Sequence, residues 1–213
     1  MDATATGDSW VVPTPLGNAR VHRSEAAGAV RGTLVLGHGA GGGVESVDLV
    51  AVATEAVDAG WRVLLVEQPW RVAGKRVAPA PPRLDDGWRV VLDHARAGGL
   101  LTGRLVLGGR SAGARVACRT AAEQGADGVL ALAFPLHPPG RSEKSRAAEL
   151  TGVRVPLVIV QGETDSMGAP EAVAAELTGN PSASVYAVPG DHSLKRNPAV
   201  VAAAALNWLA QLA

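Results

Sequence analysis

Short unbroken apolar runs alternate along the chain with longer stretches in which apolar residues recur every three or four positions. That order predicts a mostly parallel sheet with helices on both faces. Positions 31–36 and 61–67 read as strands; in 31–36 the run is continuous rather than alternating, the mark of a strand buried on both sides. Between them, 46–59 carries Val47, Val50, Ala51, Ala53 and Val57 at helical spacing and stops at Gly60. Helical spacing resumes over 84–97, ends at Gly98-Gly99, and is followed by a strand at 104–107 that runs into Gly108-Gly109-Arg110-Ser111-Ala112-Gly113. A helix is expected immediately afterwards, from Ala112 to about Gln124. Strands at 129–134, 155–160 and 184–188, with helices at 143–150, 170–177 and 199–212, complete the set. Before them all, 9–12 and 16–21 flank a Pro-containing turn and read as a hairpin at a sheet edge. Segment 69–82 holds Pro69, Pro79, Pro81 and Pro82 beside Arg71, Lys75 and Arg76, and reads as a long loop.

Length and charge narrow the function classes. At 213 residues, 47% of them hydrophobic and 19% charged, the chain has the composition of one globular domain spanning 1–213. Twenty basic residues against twenty acidic ones leave no net charge, which removes the phosphate attraction that nucleic-acid binders depend on. A lone Cys118 cannot form an intramolecular disulfide and is expected to stay reduced, in the cytoplasm. No leader pattern opens the chain and no run reaches the roughly 18 apolar residues of a membrane span, so no membrane is expected as partner.

Gly109-Arg110-Ser111-Ala112-Gly113 matches G-x-S-x-G, where small residues on either side permit the sharp strand-to-helix turn that exposes a nucleophilic serine. A glycine turn with a helix-capping serine is the plain alternative. The apolar run Leu105-Val106-Leu107 upstream and the small-residue helix downstream favour the nucleophile. A serine hydroxyl needs a base to take its proton and a carboxylate to orient that base. His192, in the loop after the last predicted strand, is the candidate base, since His22 lies in the hairpin and His94 within a helix. Asp165 follows the preceding strand, so Ser111, Asp165 and His192 run in the order nucleophile, acid, base; Glu163 stays open as the acid. Asp191 reads as an organiser of its loop.

Negative charge on a substrate carbonyl oxygen requires backbone N–H donors already facing it. Ala112, at a helix N-terminus just after the serine, is one candidate, and Ala40, in Gly39-Ala40-Gly41, the other. His38 is expected to brace that loop by hydrogen bonding and to perform no chemistry.

With these residues in place, the sequence resembles the α/β-hydrolase superfamily, in particular its small capless members related to dienelactone hydrolase. The strings His38-Gly39-Ala40-Gly41-Gly42, Gly108 to Val116, Pro135-Leu136-His137-Pro138-Pro139-Gly140 and Asp191-His192-Ser193 are similar to a hydrolase-like subfamily that bacteria share with animal chromatin-complex and testis-expressed proteins. The resemblance implies an α/β-hydrolase fold and a Ser-Asp-His triad; for the chemistry itself no metal or organic cofactor is expected. Dienelactone hydrolase itself carries cysteine at the nucleophile position, which is Ser111 here, so its lactone activity does not carry over.

Ligands of open α/β sheets bind beyond the carboxyl ends of the strands. Ten basic residues fall in or beside those loops (Arg71, Lys75, Arg76, Arg83, Arg110, Arg141, Lys144, Arg146, Lys195 and Arg196), against six acidic ones, a mildly positive rim that favours anionic substrates. Arg110 and His137 are the candidate substrate contacts, His137 standing in a rigid proline turn. The span 129–156 is too short for a large helical cap. The expected protein is a serine hydrolase of small acyl esters or thioesters, monomer or homodimer; its rival is an idle hydrolase-like module that binds a protein partner or small ligand.

Overall fold

The computed structural model describes residues 8–212. Eight strands form one sheet: β1 (Ser9–Thr14), β2 (Gly17–Ser24), β3 (Gly32–Gly37), β4 (Trp61–Glu67), β5 (Arg104–Arg110), β6 (Gly128–Leu132), β7 (Leu157–Gly162) and β8 (Ala183–Val188). Their spatial order is β1-β2-β4-β3-β5-β6-β7-β8. The hairpin β1-β2 is antiparallel and joins β4 antiparallel, while β4 through β8 run parallel.

Helices cover both faces, which explains why β3, β6 and β7 are buried at every position. On one face lie α1 (Val47–Asp58) and α7 (Pro198–Leu209), with Leu49, Val52, Val201 and Trp208 packed on Leu34, Leu36, Val106, Leu130 and Val158. On the other lie α2 (Pro69–Val72), α3 (Pro81–Ala97), α4 (Ala112–Thr120), α5 (Ala147–Thr151) and α6 (Pro170–Glu176). There Trp88, Leu92, Val116, Leu150 and Val173 pack on Val35, Leu64, Leu107, Ala131 and Ile159. Adjacent residues of one strand thus enter opposite cores, as the two-residue period of a pleated strand requires. Half-buried ion pairs tie the second set of helices together: Arg119 of α4 reaches Asp85 of α3 at 2.6 Å and Glu149 of α5 at 3.0 Å. Among the described residues no helix is long and apolar enough to cross a membrane.

The element pattern follows the sequence reading with the corrections below, and the remaining bounds move by up to three residues, as at β2, β6, β7 and the end of α7. Segment 69–82 is not a continuous loop: Pro69 opens α2 and Pro81 opens α3 three residues before the apolar spacing begins, because proline fits the first helical turn, where no intrahelical N–H is needed. Strand β5 continues past Leu107 through two glycines to Arg110. Helix α4 ends at Thr120 rather than Gln124, and α5 begins only at Ala147, the proline turn at 138–139 being followed by further turns. No cap domain is inserted; the 133–146 connection is a run of bends and turns beyond the carboxyl end of β6.

Candidate active site

The glycines of the serine turn answer a close approach of three backbones. A Cβ on Gly109 or Gly113 would run into the Gly37 carbonyl oxygen, so β3, β5 and α4 meet with no side chain between them. The crowding forces the residue between the two glycines into a tight reversal: Ser111 has φ 53° and ψ −106°, a left-handed conformation a serine adopts only under constraint. Its N–H donates to the Leu132 carbonyl at 2.9 Å, and its hydroxyl is left at the carboxyl end of the sheet.

There the hydroxyl meets the imidazole of His192, with Oγ 2.9 Å from Nε2. The other ring nitrogen, Nδ1, stands 2.7 Å from Asp165 Oδ2. With Nδ1–H donating to the carboxylate, Nε2 is left as the acceptor for the Ser111 hydroxyl proton. Asp165 is buried and held from two further sides: Gln161 Nε2 donates to Oδ2 at 2.8 Å, and the Met167 N–H donates to Oδ1 at 2.8 Å. Glu163, the other carboxylate considered from sequence, is exposed and its side chain takes no part. Gln161 escaped the sequence reading; the signal available was a glutamine at the end of an otherwise apolar strand, where a buried amide needs a polar partner.

The loop carrying His192 is braced from both sides. Asp191 Oδ1 accepts from the Ser193 N–H at 2.8 Å and its hydroxyl at 2.6 Å, bonds that hold the Asp191 carboxyl below the usual range. From the other side Arg110 Nη2 donates to the His192 carbonyl at 3.0 Å, while its Nε lies 3.2 Å from Asp48 Oδ2. Asp48 is only 1% exposed, and burial raises its carboxyl above the ordinary value against the opposing pull of Arg110.

Ala112 opens α4 directly after the serine, and Ala40 lies in the loop after β3. Neither N–H has a backbone acceptor among the described residues. His38 stands behind that loop, buried and 4.9 Å from the Trp70 ring. Its Nδ1–H donates to Gly39 O at 2.8 Å and its Nε2 accepts from the Gln68 N–H at 3.1 Å, a pairing that fixes the neutral tautomer. Burial also pushes the imidazole below its ordinary value. Its bracing role is the one expected from sequence.

A cavity of about 310 Å³ opens over Ser111 and His192, walled by Ala40, Gly42, Ser46, Met167 and Lys195. Arg110 also borders it, with Nη2 on the His192 carbonyl and Nε beside Asp48. His137 lies outside the wall. Its N–H bonds to Met167 O at 3.1 Å and its ring turns to the Pro138 carbonyl, so it supports a wall residue instead of facing the cavity.

Fold, nucleophile turn and strand order together define an α/β hydrolase. The chain belongs to the alpha/beta hydrolase domain family, which it matches over residues 30–208. Among solved structures it is similar to an alpha-beta serine hydrolase homologue from Coxiella burnetii, at 18% identity and TM-score 0.78 with 100% of both chains covered. An α/β serine hydrolase without lid from Xanthomonas campestris matches at 19% identity and TM-score 0.78, over 99% of this chain and 96% of that one. Est1E from Butyrivibrio proteoclasticus matches at 14% identity and TM-score 0.81, over 97% and 99%.

Proposed function

We propose that this chain is a serine hydrolase that cleaves a carboxylic ester or thioester of a small acyl group through an acyl-Ser111 intermediate. The observation that carries the reading is the hydrogen-bonded line Ser111, His192, Asp165, with links of 2.9 and 2.7 Å, built on a strained serine turn. Ser111 Oγ attacks the substrate carbonyl carbon as His192 Nε2 takes the hydroxyl proton, and Asp165 stays ionised to hold the imidazolium. The carbonyl oxygen, now anionic, is held by the N–H groups of Ala112 and Ala40. Collapse of the tetrahedral species breaks the bond to the alcohol or thiol, which leaves with the proton from His192. Water, deprotonated by the same imidazole, then releases the acid and restores the serine.

Several features support this within the family. The solved structures with the same fold include serine hydrolases and esterases, and the absence of an inserted cap suits small or solvent-exposed acyl groups. The quoted strings resemble those of the small members related to dienelactone hydrolase, which supports the same reading. Lys195 leaves the cavity wall positive, which favours an anionic acyl substrate. The buried, unpaired Cys118 fits a reducing compartment such as the cytoplasm, and the chain acts as monomer or homodimer without cofactor.

The deciding experiment is labelling with a fluorophosphonate probe beside a panel of esters and thioesters graded by acyl length and charge. Wild type is expected to take up the probe, and Ser111→Ala to lose both labelling and about 10³-fold or more of turnover. Persistent labelling of Ser111→Ala misassigns the nucleophile. A chain that turns over no member of the panel while keeping a stable partner belongs to the idle, partner-binding class instead.

A further inference from the structure

A second cavity, of about 280 Å³, lies between the turn joining β1 and β2 and the segment 68–83, and shares no wall residue with the cavity over Ser111. Its apolar side is built from Leu16, Trp70, Val77 and Pro79; Val77 is 80% exposed, a branched apolar side chain offered to solvent in a loop. Its polar side carries Lys75 and Arg83 and no carboxylate. Among the described residues neither cation has an ion-pair partner; Glu45 pairs with Arg71, Glu67 with Arg20, Asp85 with Arg119 and Asp86 with Arg89. Arg83 sits in the first turn of α3, a turn that holds no acidic residue, so the positive end of a helix of 17 residues adds to the same field.

Volume, an aromatic wall and two unneutralised cations on one side describe a ligand with an apolar body and an anionic head. We propose that this second cavity binds a small amphipathic carboxylate, its head held by Lys75 and Arg83 and its apolar body laid against Trp70, Val77 and Pro79. The site has a built-in reporter. Gln68 and Trp70, both in its wall, also touch His38, so occupancy is read at the imidazole that braces the Gly39–Ala40 loop.

Binding is tested on the full chain carrying Ser111→Ala, which separates it from the proposed catalysis. Octanoate is the probe, octanol and octylamine are the controls, and nuclear magnetic resonance is the readout. Saturable octanoate binding that moves the Trp70 indole and His38 ring signals, and leaves the Met167 methyl signal still, is the expected result. Adding Lys75→Ala and Arg83→Ala should weaken octanoate binding about tenfold or more while octanol is unaffected. Val77→Asp, which puts a carboxylate at the exposed rim, should weaken it as well. No saturable binding, equal affinity for octylamine, undiminished binding by the double substitution or by Val77→Asp, or movement of Met167 in place of Trp70 would each overturn the proposal.

Discussion

Arg110 holds the proposed base in place through a backbone carbonyl, and it is itself held by a carboxylate that water scarcely reaches. Arg110→Ala therefore removes a bond from the His192 loop and strands Asp48 in the interior. The stranded carboxylate is expected to cost about 3 kcal/mol in urea unfolding, as loss of one partner of a buried pair does. Turnover should fall about ten- to a hundredfold, mostly in kcat, since the imidazole is misplaced while the cavity wall remains. Adding Asp48→Asn should return part of the stability and none of the turnover; an unchanged kcat in Arg110→Ala would refute the bracing role. His38 makes a separate prediction. Its imidazole is held below 6.5 in the folded chain, so under acid the unfolded chain takes up the proton first. The stability tied to neutral His38 is complete above about pH 6.5 and is lost as pH falls toward the folded value. Urea midpoints measured from about pH 8 to pH 5 should decline less steeply in His38→Gln than in wild type. Ser111, Asp165 and His192 were legible as residues because each follows a strand, whereas the partners of Arg110 depend on which helix lies across the sheet.

Strand β4 shows what apolar patterning can resolve: its bounds at Trp61–Glu67 coincide with the run visible in the sequence. Strand β5 shows what it cannot. Glycines carry no hydrophobic signal, and Gly108 and Gly109 belong to the strand because the neighbouring backbones come too close for any side chain. The same contact makes a sharp prediction for α4. Gly113→Ala places a methyl group against the Gly37 carbonyl and neither backbone can withdraw, so unfolding free energy should drop by about 3 kcal/mol and fluorophosphonate labelling with it. Ala114→Gly, one position along the same helix, should cost about 2 kcal/mol, half from lost helix propensity and half from a lost buried methyl, and should keep the label. Equal losses in the two variants would mean that the close approach is not what the elbow requires. Helices α2 and α3 were hidden for another reason: prolines that read as breakers sit at N-terminal positions, where they begin helices.

The three proposed catalytic groups enter from unequal parts of the sheet. Ser111 rises from β5, paired on both sides and buried, but His192 follows β8, an edge strand whose residues are mostly half-buried or exposed. Local opening begins where buried contacts are fewest, so the proposed base stands beside one of the two margins of the sheet expected to loosen before its centre. Cys118 marks the opposite extreme. It is buried on α4, with its thiol pushed up to about 12 by desolvation, and a thiol-alkylating reagent reaches it only when the interior opens. Heat should accordingly silence the proposed activity before it denatures the protein: on a temperature ramp, any ester turnover is expected to disappear some degrees below the point at which Cys118 becomes alkylated. Cooling from within that interval should bring activity back in full, because the lost state is a frayed margin around an intact centre.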